Sequence, residues 1–416
     1  MSQQILDDGL AKNNLAAILE KDLASMSPAS VKVAEAEFSR FKRSFSGHKD
    51  YMEAAKRYND FYLGTQWVET DLAKLKSEGR PALTINLILS VINTLCGEQS
   101  NRRVDVQFKP RKDTNQESAN AMSKLAMAIS DSNDLDYVES EVFEDGLIME
   151  RGYFDVRMGF DDDMRGDVEI TSLHPMEVIP DAQMRDYDPR KWNEVTLTRW
   201  LSLDVIATTY GKKAAALLKT SVSVTGALDN DSIRFEDFDE IDTLNDDMDD
   251  FVSQASTGAG VDEDRRQIKT IRIVERQFFK LHESFALVNP ENGRKRFLPA
   301  ETSTAEAKLL GEQFGWYVHR ETKRRVYWRV TADRVVLHDD WSPYRSFTVL
   351  PYFPYFRRGK PMGIVRNLIS PQEQYNKLSS QELHIVNSTA NGGYIVEEGA
   401  LVGMTMDQLE KNGSKT

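Results

Sequence analysis

The chain has 416 residues, 40% hydrophobic and 29% charged, a balance that excludes intrinsic disorder and supplies enough core for roughly two to four modules. Its 53 basic and 66 acidic residues leave a net charge of −13, which excludes a general DNA-coating protein but not one that DNA passes through without sticking. Cys96 is the only cysteine, so intrachain disulfides and thiolate-cluster metal sites are excluded and a reducing cytoplasm is the natural compartment.

No apolar run approaches the ~20 residues of a membrane span. The start, "MSQQILDDGLAKNN", lacks the charged-then-apolar pattern of a signal peptide. Helical spacing runs from Leu10 to Leu63 with a break at Ser27-Pro28, and Phe38, Phe41, Phe45, Tyr51, Ala55, Tyr58 and Tyr62 read as core positions. A Gly79-Arg80-Pro81 turn precedes an Asn-led amphipathic helix that ends near Gly97. Further helices are predicted over Glu117–Ser130 and Tyr137–Arg151.

At Gly152 the period changes to that of strands. "YFDVRMGF" and "GDVEITSL" form a hairpin whose turn carries Asp161, Asp162 and Asp163. Such a triplet is either a metal-binding cluster or a solvated turn, and the turn is favoured because Asp suits turns. "HPMEVIPDAQMRDYD" reads as a Pro-framed loop and "EVTLTRWLS" as a strand. A helix then opens with Ser202 as its N-cap.

Between Asp229 and Asp250 acidic residues are opposed only by Arg234, which reads as a flexible acidic loop or insertion, without the ligand spacing of a calcium loop. Lys269–Phe356 is strand-rich. Its end, "WSPYRSFTVLPYFPYF", is too broken by proline for a membrane segment and reads as a packed extended loop.

The last predicted helix lies in "GIVRNLISPQEQYNKLSSQELHIVNSTANGG". Ser370 is placed as its N-cap, Pro371 as its first residue and Glu373 as the reciprocal member of a capping box, with Asn391-Gly392-Gly393 as the stop. Tyr375, Leu378, Leu383, Ile385 and Val386 are its apolar positions, a narrow stripe among amides and hydroxyls. Asn376, Ser379 and Ser380 are short enough to let neighbouring helices approach, so the helix reads as one that packs in an assembly.

Catalytic motifs are missing. There is no GxxxxGK[ST] phosphate loop, no GxGxxG after a strand, no GxSxG elbow and no HExxH, and the terminal "NGSKT" has no Gly at the required distance before it. The histidines, His48, His174, His282, His319, His338 and His384, are scattered and read as structural or surface residues. No metal site, cofactor or catalytic residue is assigned. An acidic cluster assembled from distant segments stays open as the basis of a nuclease.

Two stretches carry a resemblance. "GTQWVETDLAKLKSEGRPALTINLILSVINTLCGEQSNRR" and "GIVRNLISPQEQYNKLSSQE", in this order and with the "GYFDVRMGF" to "LTRWLSLDVIATTYG" region between them, are similar to portal proteins (head-to-tail connectors) of tailed bacteriophages, of the short-tailed podovirus type. The resemblance spans Trp67 to Gly393. It implies an α+β portal-like subunit with a helical and mixed α/β wing, a strand-rich clip and a long stem helix, assembling as a ring of about twelve copies.

It further implies a structural, non-enzymatic channel at one capsid vertex of the virion, assembled in the host cytoplasm. Double-stranded DNA is packaged and ejected through it, and terminase, tail adaptor or head-completion proteins, capsid and scaffolding proteins are its partners, with no membrane involved. Lys377, Asn391, Gly392 and Gly393 become channel candidates, and Ser370, Glu373, Tyr375, Leu378 and Ile385 stem-assembly residues. The implied division is an N-terminal helical segment 1–66, a wing-like region 67–228, the acidic loop or insertion 229–264, a strand-rich region with the clip candidate 265–356, the stem helix and approach to a tunnel loop 357–393, and the start of a C-terminal wing or crown, 394–416, that the chain cuts short. The competing reading is a metal-dependent nuclease or other packaging hydrolase, or another capsid or adaptor protein.

Overall fold

The computed structural model describes residues 24–103, 106–110, 116–160, 165–225, 270–290, 293–298 and 302–390. Helix α1 (Pro28–Leu63) opens where the sequence breaks, with Ser27 Oγ accepting the Ser30 N–H at 3.2 Å and Pro28 at the first helical position. Helix α2 (Glu69–Ser77) is followed by α3 (Leu87–Asn101), whose N-cap Asn86 accepts the Leu89 N–H at 3.2 Å. Helices α4 (Gln116–Ser132) and α5 (Leu135–Met149) come next. Strands β1 (Gly152–Gly159) and β2 (Asp167–Leu173) are the expected antiparallel hairpin. The Asp161–Asp163 triplet, the acidic Asp229–Asp250 run, the first predicted helix before Ala24 and everything from Asn391 onward lie outside the described residues.

Strands β3 (Val178–Pro180) and β4 (Glu194–Ser202) lead into α6 (Leu203–Thr209), capped by Ser202 as predicted, and α7 (Lys212–Thr225). After β5 (Thr270–Val288) and β6 (Lys295–Phe297) stands a helix that strand reasoning passed over, α8 (Thr304–Phe314). Its signal is present in the sequence: Ser303 and Glu306 close a reciprocal capping box and Gly315, at φ 64°, ends it. Strands β7 (Tyr317–Ala332), β8 (Val335–Trp341), β9 (Val349–Tyr352), β10 (Tyr355–Arg357) and β11 (Lys360–Met362) precede the last helix, α9 (Val365–Ala390). The segment read as an extended loop thus contains short strands as well.

Two compact units arise, one from Met1–Lys49 and Met176–Leu350, the other from Asp50–Pro175 and Pro351–Thr416. In the first, an antiparallel sheet runs β3-β4-β5-β7-β8, with β6 also on β5. Ile271 and Ile273 of β5, Val330 and Ala332 of β7 and Val335 and Leu337 of β8 form one core with Ile206 of α6 and Ala214 and Leu218 of α7. Glu37 is buried there between two guanidiniums, accepting from Arg276 at 3.1 Å and from Arg329 at 2.6 Å.

In the second unit the core includes Ile88 and Ile92 of α3, Val142 and Leu147 of α5, Tyr153 of β1, and Val365 and Ile369 of α9. Glu150, at φ 69°, turns the chain out of α5, and a Cβ on Gly152 would stand 2.2 Å from the Val142 carbonyl oxygen. Only glycine fits that approach of β1 to α5.

Candidate functional site

Helix α9 starts five residues before Ser370, so Ser370 is exposed within the helix and Pro371 is interior. This corrects the predicted N-cap. Glu373 does not close a capping box; its Oε1 accepts from Arg57 Nη2 at 2.6 Å. An interior proline costs about 3 kcal/mol or more through its missing N–H. Burial of Val365 (0% exposed) and Ile369 (7%) ahead of it returns roughly 1.5–3 kcal/mol each. The start is also anchored: Ile364 N–H donates to the Leu147 carbonyl at 3.0 Å, and Arg366 Nη1 meets Glu150 Oε1 at 3.2 Å. Burial raises the Glu150 carboxyl and Arg366 opposes that rise.

Three polar residues of α9 face inward. Gln372, Asn376 and Ser380, one turn apart, are all buried. They bond the backbone of the extended segment before α3 residue by alternate residue. Ser380 Oγ accepts the Leu83 N–H at 2.9 Å, Asn376 Oδ1 accepts the Ile85 N–H at 3.1 Å, and Gln372 Oε1 accepts the Leu87 N–H at 3.2 Å. Gln372 Nε2 also donates to the Ile85 carbonyl at 2.6 Å, so both polar backbone groups of Ile85 are satisfied as in a sheet, but by side chains. Asn376 Nδ2 donates to Gln66 Oε1 at 2.6 Å, and Gln66 Nε2 to the Phe61 carbonyl at 2.8 Å. Asn376 and Ser380 therefore do not serve as small surface residues that let a neighbour approach. Their i, i+4, i+8 spacing with Gln372 was the available sequence signal.

Beyond the buried Val365 and Ile369, and with Leu383 half-buried, four apolar residues of α9 are exposed. Tyr375 is 43% exposed, Leu378 55%, Ile385 53% and Val386 59%. The helix thus buries a polar stripe while leaving an apolar row exposed. Lys377 Nζ lies 3.8 Å from Asp71 Oδ2, an exposed pair of small energetic weight. Asn391, Gly392 and Gly393 are outside the described residues.

Beside α9, helix α5 carries Glu141, Glu144 and Asp145. Burial first, then the two neighbouring carboxylates, push the Asp145 carboxyl up to about 8. Tyr62 Oη donates to Glu144 at 2.7 Å, and burial raises the Tyr62 phenol. Among the described residues no group of three His, Cys, Asp or Glu is placed to hold a metal ion, and no helix is long and apolar enough to cross a membrane.

A mixed α+β subunit that leaves Tyr375, Leu378, Ile385 and Val386 of a long helix exposed has the character of a structural protein built to meet other surfaces. Residues 38–416 match the family model described as Phage P22-like portal protein, and the chain belongs to that family. It is a structural portal protein, a head-to-tail connector of the bacteriophage virion serving DNA packaging. The family is structural and not catalytic, its members form oligomeric rings at the capsid vertex, and they interact with capsid, terminase and tail proteins. No curated protein matched the chain.

Proposed function

We propose that this chain is a portal of the short-tailed podovirus type that closes into a ring of about twelve copies, with α9 as the stem helix beside the channel. The observation that carries the reading is the burial pattern of α9: Tyr375, Leu378, Ile385 and Val386 are exposed while Gln372, Asn376 and Ser380 are buried. Exposing such a row in a monomer is unfavourable, and a sibling helix supplies the missing cover. Ser370 and Glu373 lie on the same helix and complete the assembly set.

The strand-rich region 265–356 includes the clip that meets terminase and later the tail adaptor or head-completion proteins. Region 67–228 serves as the wing, the 357–393 segment leads from the stem to a tunnel loop, and 394–416 begins a C-terminal wing or crown. Capsid and scaffolding proteins surround the ring as it assembles in the host cytoplasm. Lys377 and the Asn391–Gly393 segment are the channel candidates, and pairing of Lys377 with Asp71 suits a contact that DNA slides past. At −13 per chain, a ring presents a mostly repulsive field to a duplex.

Native mass spectrometry of the full-length protein tests the reading. A single closed oligomer of defined copy number is expected. Monomers alone, at concentrations where portals are handled, would refute it.

A further inference from the structure

The long β5–β7 ribbon sets like charges opposite each other. Lys280 stands across from Arg325, and Lys323 lies one pair further along the same strand face, opposite His282. Directly opposed like charges destabilise a sheet. Burial first, and then Arg329, lower the Lys280 ammonium from its ordinary range. Asp339 and Glu37 act against this at Lys280, and Glu321 Oε2 lies 3.9 Å from Lys323 Nζ.

Beside the ribbon lies a cleft of about 510 Å³ whose lining includes Lys323, Arg324, Arg325 and Arg345 and no carboxylate. Aromatic rings alternate with these cations. Lys323 Nζ is 3.0 Å from the Phe297 ring centre, Arg325 lies 5.3 Å from that of Trp341, and Tyr344 lines the wall. Phe297 is half exposed, and Arg345 is exposed with no carboxylate partner among the described residues. The chain as a whole is acidic, so this concentration of cations is local.

We infer that this cleft is a binding site for the phosphodiester backbone of DNA. Guanidinium forks match phosphate oxygens, and the rings beside them suit sugars and unpaired bases, which an acidic peptide does not offer. The contact is independent of sequence and of the weak, salt-sensitive kind, so it holds a passing or waiting DNA without gripping it. The choice of DNA rests on the portal reading, whereas the basic cleft itself does not.

The test is fluorescence anisotropy with a labelled short duplex and a labelled single strand, on full-length protein whose oligomeric state is checked in the same samples. At about 50 mM salt the expected Kd lies in the ~10⁻⁶–10⁻⁴ M range of non-specific binding. Arg345→Glu and Lys323→Glu should each weaken binding several-fold and lower the salt slope by about 1, whereas Lys219→Glu, exposed on α7 and absent from the cleft lining, should change neither. Arg345→Glu alone decides if Lys323→Glu fails to fold. Unchanged DNA binding in Arg345→Glu overturns the inference, as does cleft-dependent capture of poly-glutamate with no affinity for DNA, which would make it a site for an acidic protein. Loss of rings without loss of cleft-dependent binding would refute the assembly reading and leave the site standing.

Discussion

Asn376 of α9 and Gln66, after α1, are joined amide to amide: Asn376 Nδ2 donates to Gln66 Oε1 at 2.6 Å, and both side chains are buried. With Asn376 Oδ1 accepting the Ile85 N–H, this contact ties three stretches of chain into one polar seam. The seam explains how a long helix with so few buried apolar residues is held: beyond Val365 and Ile369 its buried side is satisfied by hydrogen bonds, and Tyr375, Leu378, Ile385 and Val386 stay exposed.

Asn376→Leu should therefore destabilise the protein although it makes the helix more apolar. It strands the Ile85 N–H and Gln66 Oε1, and each buried group left unmatched costs about 1–3 kcal/mol. Urea denaturation should show a loss of about 2–6 kcal/mol. A neutral result would mean that water replaces the amide freely.

Ser370→Ala should leave stability within about 0.5 kcal/mol of wild type, because the residue is an exposed interior position of α9 and caps nothing. Asn86→Ala should cost about 1 kcal/mol, since that side chain caps α3. Thermal melts of the two variants give opposite rankings if Ser370 is the cap instead.

Leu378→Asp should abolish or shorten the oligomer while the monomer fold persists. The side chain is 55% exposed in the subunit, so folding loses little, whereas an uncompensated carboxylate in a covered row costs several kcal/mol per interface. Native mass spectrometry together with circular dichroism separates the two effects. Intact rings would remove this face from the interface.

Stability should fall from mildly acidic to mildly alkaline pH through Asp145. Its folded carboxyl is raised from 3.8 to about 8. The folded state then holds a proton that the unfolded chain has released, so the stabilisation is full below the unfolded value and disappears as pH rises through about 8. Asp145→Asn should flatten the profile and exceed wild type at pH 8 by on the order of 1 kcal/mol or more. Melting temperatures across that pH window are the readout, and parallel profiles would show that Asp145 is ionised throughout.

Glu37→Gln should cost about 1–3 kcal/mol, because it weakens the charge-assisted hydrogen bonds to Glu37 while Arg276 keeps Glu194 and Arg329 keeps Asp339 as carboxylate partners. The loss is read by urea denaturation, and an unchanged midpoint would show that Glu194 and Asp339 alone balance the two guanidiniums.

Much of the architecture was legible in the sequence because its signals are local. Ser27-Pro28, Asn86 and Ser202 open helices within three residues of themselves, and the alternation after Gly152 names its own hairpin. The capping box of α8 is equally local and was obscured only by the strands on either side. Order of motifs along the chain sufficed for the portal family. The origin and orientation of α9 were different. Ser370-Pro371-Gln372-Glu373 has every local mark of a helix start, yet the helix begins at Val365 because Val365 and Ile369 bury against other elements. Likewise Gln372, Asn376 and Ser380 look like surface residues until Leu83, Ile85 and Leu87, some 285 to 297 positions away, present their N–H groups. A side chain's polarity states that it needs a hydrogen-bond partner, and only the tertiary structure decides whether that partner is water or a distant backbone.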